Sequence, residues 1–237
     1  MKTALVTGAS GDIGHLLVER LIERGYKVIG MARSEEKLRK LESRFGEKFE
    51  YIPADLSERG VFKHIRESLE SMGIVKLDLL INNAGFAVRK PLTEHVTEEL
   101  RGIFSVNVIA PVELTVRLLP LLGEDSTVVF VISAVAFINV PEIPSYCAAK
   151  GALHYLTVNL ERELKMRGIN IMRVYPKQVR SGFWRGKVPK GSIEPEEVVD
   201  AILKGLEKGK PEVFVPAYLK LIKYLPNWPV FTYCFRY

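Results

Sequence analysis

The sequence predicts an α/β chain: one Rossmann-type doubly wound domain of about seven parallel strands, with helices on both faces of the sheet. Three observations predict it. The N-terminus reads as a short apolar strand over residues 2–7, a turn carrying Gly8, Gly11 and Gly14, a helix, and a second apolar strand over 26–32. Further apolar runs at 49–53, 77–82, 127–133 and 169–175 lack polar alternation, as strands buried on both faces do. Helical stretches occupy the intervals at 34–45, 58–72, 97–122 and 146–167, and Pro195 opens another that reaches about Lys208 before a seventh strand at 212–215.

Each element has a local reason. In the first helix Leu16, Leu17, Leu21 and Ile22 recur at helical spacing, and Gly25 ends it. The glycines before it let the backbone turn tightly and approach a pyrophosphate, whose charge the amides at the helix N-terminus would meet. Gly8, Asn83, Ser133 and Pro176 all fall at the carboxyl ends of strands, where an open α/β sheet forms its ligand crevice.

Composition bounds the reading. The chain has 237 residues, 47% of them hydrophobic, enough to bury one large core in one domain. Met1-Lys2 leads straight into the first strand, so no secretory segment is expected, and no apolar run approaches the ~20 residues of a membrane span. Two cysteines, Cys147 and Cys234, imply neither a disulfide framework nor a metal site, and a reducing cytoplasm is the expected location. Cys147 is expected to be a small packing residue. The net charge of +6 suits an anionic cofactor or surface, and no nucleic-acid motif accompanies it.

The chemistry is expected from Tyr146 and Lys150, four residues apart and therefore on one face of a helix, with Ser133 thirteen positions before the tyrosine. A phenol titrates near ~10, so a neighbouring ammonium is the simplest means of favouring its ionised form. These motifs together resemble the short-chain dehydrogenase/reductase family over about residues 1–215. Asn82-Asn83-Ala84-Gly85 resembles the family's signature tetrapeptide, Asp55-Leu56 its adenine-contacting segment, and Asn107 its helix asparagine. The run from Pro176 through Val179 to Ser181 resembles the segment that holds the nicotinamide amide.

The resemblance implies a catalytic set of Asn107, Ser133, Tyr146 and Lys150. It implies a cofactor seat of Gly8, Ser10, Gly11, Asp12, Ile13, Gly14, Arg33, Asp55, Leu56, Asn83, Ala84, Gly85, Tyr146, Lys150, Pro176, Val179 and Ser181, without a metal. Ala32 stands where an NAD enzyme usually has a carboxylate, and Arg33 follows, so NADP (NADPH) is expected over NAD. Hydride transfer between nicotinamide and a carbonyl or secondary alcohol is the implied reaction, with Tyr146 as general acid or base. A protein that binds NADP as a sensor or interaction module without turnover is the competing reading.

Two positions depart from the family pattern. Asp12 stands at the usual middle glycine, and its side chain is expected to point away from the ligand. Lys177 follows Pro176 where the family usually has glycine. The even glycine spacing resembles the extended branch of the superfamily, but the 87 residues after Lys150 are too few for that branch's substrate domain.

Phe86, Phe137, Ile138, Val140, Phe183 and Trp184 flank the site and suit a hydrophobic substrate. Residues 216–237 form a separate C-terminal segment, with seven aromatics between Tyr218 and Tyr237 and only Lys220, Lys223 and Arg236 as charges. It is expected to pack on the chain's own pocket, at a homo-oligomer interface, or peripherally on a membrane.

Overall fold

The computed structural model describes residues 1–184, 186–224 and 234. Strands β1 (Lys2–Thr7), β2 (Tyr26–Ala32), β3 (Phe49–Pro53), β4 (Leu77–Asn82), β5 (Leu122–Val131), β6 (Asn170–Pro176) and β7 (Glu212–Val215) form one sheet in the order β3-β2-β1-β4-β5-β6-β7. Every neighbouring pair is parallel. The helices are α1 (Asp12–Glu23), α2 (Glu35–Phe45), α3 (Val61–Ser71), α4 (Thr97–Phe104), α5 (Ala110–Arg117), α6 (Pro144–Lys165) and α7 (Pro195–Glu207). The strand order reverses beside β1, between β2 and β4, and there the crevice opens at the carboxyl ends of the strands.

Successive strand residues point to opposite faces, so each strand serves two cores. Ala4, Val6, Val28, Ile81 and Val174 pack toward Leu17, Leu21 and Leu38 of α1 and α2 and Val198 and Ile202 of α7. Leu5, Ile29, Leu80, Val128 and Phe130 pack toward Ile65 and Leu69 of α3, Leu114 of α5 and Leu153 of α6. Gly30 of β2 is required by this packing, because a Cβ there would lie 2.5 Å from the ring of Phe49.

Three elements differ from the sequence reading by three residues or more, while β6, α6 and the end of β5 differ by one or two. The helix expected over 97–122 is broken: α4 passes through a π-helical turn, Ser105–Ile109, into α5, which ends at Arg117, and Leu122 already belongs to β5. Pro111 explains the break, since it has no N–H to close the α-helical bond onto the carbonyl of Asn107. β5 begins five residues before the expected position because Gly123, Glu124 and Asp125 disguise its first half. That half is irregular, with Asp125 at φ 66° and a register shift against β4. α3 starts at Val61 and not at 58, because Gly60 just before it holds φ 81°, outside the helical region.

Candidate active site

The glycine turn is built by close backbone approach. Gly8 sits at φ +69°, and the N–H of Gly11 donates to its carbonyl at 3.0 Å. A Cβ on Gly14 would stand 2.0 Å from that same carbonyl oxygen, so α1 can begin here only with glycine at this position. Thr7, at the end of β1, ties the turn to the one after β4. Its hydroxyl accepts the N–H groups of Asn83 (2.9 Å) and Ala84 (3.0 Å), and Asn83 Nδ2 donates to the Thr7 carbonyl (3.0 Å).

A cavity of about 810 Å³ runs from this turn along the carboxyl ends of the strands. At one end its wall includes Arg33, Asp55 and Leu56. Asp55 accepts the Ser57 N–H at 2.9 Å and the Ser57 hydroxyl at 2.6 Å. Burial works to raise its carboxyl, but the Ser57 bonds and the Arg33 charge outweigh this and hold it below the usual carboxylate range. In the middle are Gly8, Ser10, Gly11, Asp12, Ile13 and Gly14, faced by Asn83, Ala84 and Gly85. At the far end stand Ser133, Tyr146, Lys150, Pro176, Val179 and Ser181.

Ser133 follows β5. Its Oγ accepts the Val135 N–H at 3.3 Å and lies 3.4 Å from the Pro176 carbonyl, close enough to the Tyr146 phenol to work against the effect of burial on it. Lys150 is buried one helical turn beyond Tyr146, its Nζ 5.5 Å from the phenol ring centroid, and donates to the Val131 carbonyl at 3.0 Å. The sequence suggested that this ammonium would favour the phenolate, and here burial overrides that effect. It pushes the Tyr146 pKa above the ordinary phenol value, and it depresses the Lys150 ammonium to about 7. Tyr146 therefore rests as a neutral phenol.

Asn107 lies in the π-helical turn behind Gly85. Its Nδ2 donates to the carbonyls of Phe86 (2.9 Å) and Ile103 (3.0 Å), which fixes the side chain and leaves its buried Oδ1 without a partner. A Cβ on Gly85 would be 2.7 Å from that oxygen and 3.4 Å from Lys150 Nζ, so Gly85 keeps a narrow polar gap open between the two.

Apolar groups wall the space next to Tyr146: Phe86, Ile138, Val140, Phe183 and Trp184 line it as expected. Phe137 does not. It packs against the rings of His154, Tyr175 and Phe214 in the core. Cys147 is a packing residue of the small cluster around Val140, Ile143 and Trp184, and burial raises its thiol to about 11.

Asp12 does not simply point away. Its carboxylate accepts the N–H of Gly182 at 2.8 Å, across 170 residues of sequence. Three further groups escaped the sequence reading. Leu219 and Ile222, from the turn Ala217–Tyr224, line the cavity while Tyr218 and Tyr224 are 61% and 76% exposed, so in this stretch aliphatics and not aromatics face the pocket. The remaining aromatics of the segment lie outside the described residues. The third group is a chain in which His95 Nε2 lies 3.3 Å from the Ser145 hydroxyl and its Nδ1 3.7 Å from Glu99. It anchors the loop before α4 to the residue preceding Tyr146, and the fifty-residue separation hides it from any local pattern.

The residues present fit a dinucleotide: a turn with no room for a Cβ at Gly14, helix amides behind it, and Tyr146 with Lys150 beyond. No group of acidic, histidine or cysteine side chains able to hold a metal occurs among the described residues, and no described helix is long and apolar enough to cross a membrane.

Comparison with known proteins agrees with this geometry. The family model described as "short chain dehydrogenase" matches residues 2–190. The NADPH-dependent 3-dehydrocapnine reductase of Ornithobacterium rhinotracheale is 31% identical over 81% of this chain and 70% of its own. The uncharacterized oxidoreductase DltE of Bacillus subtilis is 31% identical over 90% of this chain and 87% of its own. Among solved structures, a short-chain dehydrogenase from Sphingobium yanoikuyae in complex with NADPH superposes with a TM-score of 0.82 at 26% identity, over 93% of this chain and 90% of that one. A Burkholderia phymatum short chain dehydrogenase/reductase in complex with NAD shares the fold, with a TM-score of 0.84 at 20% identity over 94% of this chain and 92% of that one. With the family model spanning most of its length and the glycine turn, nicotinamide-type cleft and Ser133, Tyr146 and Lys150 in one cavity, this chain belongs to the short-chain dehydrogenase/reductase family of NAD(P)-dependent oxidoreductases.

Proposed function

We propose that the protein is an NADP(H)-dependent carbonyl reductase or alcohol dehydrogenase acting on a hydrophobic substrate, with Tyr146 as general acid or base. The observation that carries this is the placing of Tyr146, with Ser133 and Lys150 beside it, at the junction of the dinucleotide cleft and an apolar chamber. When bound, the nicotinamide supplies or accepts the hydride. Tyr146 donates its proton to a substrate carbonyl oxygen in reduction or removes one from the alcohol in oxidation, and Ser133 hydrogen-bonds the same oxygen. Lys150 holds the nicotinamide ribose, and the unpartnered Asn107 Oδ1 suits a water that would relay protons to Lys150.

For the cofactor, the reading rests on Ala32 and on the exposed Arg33, which stands at the end of β2 where a 2′-phosphate would arrive. The NADPH named with two relatives supports it, and the NAD named with another gives the counter-case. Arg33→Ala is expected to raise the NADPH Michaelis constant about tenfold and leave that for NADH unchanged, because one charge-assisted contact to phosphate is lost. Initial rates with each cofactor check this, and equal use of both by the wild type would remove the basis for it.

The turn Ala217–Tyr224 is read as a wall of the substrate chamber, because Leu219 and Ile222 face it. Truncation after Pro216 should leave NADPH binding intact while raising the Michaelis constant for bulky hydrophobic substrates and lowering the melting temperature. Retained activity and melting with lost liposome co-sedimentation would instead assign the segment to a membrane surface. Exposed Ile109, Val116 and Leu156 come together in a shallow apolar hollow between α5 and α6 that a second copy of the chain would cover in a homo-oligomer.

A panel of ketones and aldehydes monitored by NADPH absorbance tests the proposal. Turnover abolished by Tyr146→Phe supports it. Tight cofactor binding without turnover across the panel favours a sensor that binds NADP.

A further inference from the structure

Asp12 stands on the cofactor side of the cleft, in the first turn of α1, yet its partner belongs to the substrate side. The Gly182 N–H that it accepts at 2.8 Å opens the short helical turn Gly182–Trp184, whose two aromatics both line the cavity. Phe183 packs edge-on against Tyr146, ring centroids 5.3 Å apart. Trp184 is buried in the small cluster with Val140 and Ile143, and its Nε1 donates to the Val179 carbonyl at 2.8 Å. The turn is thus held from one end by Trp184 and from the other by a carboxylate reaching across from the glycine turn.

We propose that Asp12 is a positioning residue for substrate: its carboxylate latches the Gly182–Trp184 turn to the cofactor-binding turn and so fixes Phe183 as a wall beside Tyr146. The reading rests on the reductase function proposed above and adds the residue that couples the two halves of the cleft. A carboxylate beside a pyrophosphate seat is electrostatically unfavourable for the cofactor. Its presence is accounted for by what it does on the substrate side, where glycine or alanine would leave the Gly182 N–H to water.

The test compares wild type, Asp12→Ala and Asp12→Asn, since asparagine keeps an oxygen acceptor and removes the charge. Asp12→Ala should lower kcat/KM for a bulky hydrophobic ketone by about three- to tenfold, mainly through the Michaelis constant, the scale of one lost hydrogen bond to a charged group discounted for exposure. Its Michaelis constant for NADPH should stay the same or fall. Asp12→Asn should restore the substrate value. Independently of turnover, amide hydrogen exchange over residues 179–184 should quicken in Asp12→Ala and return toward wild type in Asp12→Asn. Unchanged exchange and substrate Michaelis constant in Asp12→Ala would overturn the proposal. So would faster exchange without a substrate effect, an effect confined to NADPH, or equal impairment in both variants. If the wild type turns over nothing, the reductase reading fails, and exchange alone decides whether the latch exists.

Discussion

Replacing Tyr146 with Phe is expected to lower turnover by about 10² or more, the low end for loss of a positioned general acid, while cofactor affinity stays nearly unchanged. The ring is retained, so its edge-on contact with Phe183 and its packing near Lys150 survive, and only the hydroxyl goes. Single-turnover rates with saturating NADPH, alongside a direct NADPH titration, separate the two effects. A variant keeping more than about a tenth of the wild-type rate when chemistry limits turnover would show that another group delivers the proton.

What the sequence conveyed best was whatever depends on local pattern. β1, β2, β3, β4 and β7 begin and end where their apolar runs do, because strands buried on both faces have no other composition available. The pairing of Tyr146 with Lys150 follows from helical spacing alone, and the turns at Gly8 and Asn83 follow from their places at strand ends. The break in the helix after Phe104 was in principle readable from Pro111, but proline in the first turn of a new helix and proline within a continuing one look the same without the tertiary contacts.

Other features were illegible because they depend on contacts between distant residues. Nothing near Asp12 announces Gly182, and nothing near Ser145 announces His95. The direction of the pKa shifts also escaped, since helical spacing places a cation near a phenol but says nothing about the water removed around both. Phe137 was assigned to the pocket on proximity to Ser133 in sequence. The short helical turn Ala134–Ala136 after Ser133 precedes it, and its ring packs into the core among Tyr175 and Phe214.

The glycine turn yields the other large effect. Gly14→Ala should abolish measurable NADPH binding and destabilise the fold by about 2–3 kcal/mol, the upper range for forcing a methyl group into packed surroundings. The added Cβ would stand 2.0 Å from the Gly8 oxygen, 2.7 Å from its carbonyl carbon and 2.9 Å from Ala9 Cα, all backbone atoms that no rotamer change can move aside. Relief requires α1 to shift away from the turn, which displaces the amides that would meet the pyrophosphate. At about 2–4 °C per kcal/mol for a domain of this size, melting should fall by roughly 5–10 °C. Gly11→Ala is the matched control. Its Cβ would lie 3.4 Å from the same oxygen, an ordinary contact, and its φ of −87° suits any residue. Thermal melts on the pair and an NADPH titration on Gly14→Ala decide the matter: equal melting of the two variants would mean that the turn yields more readily than its backbone contacts imply, and retained NADPH binding by Gly14→Ala would mean that the close approach at Gly14 is not what seats the dinucleotide.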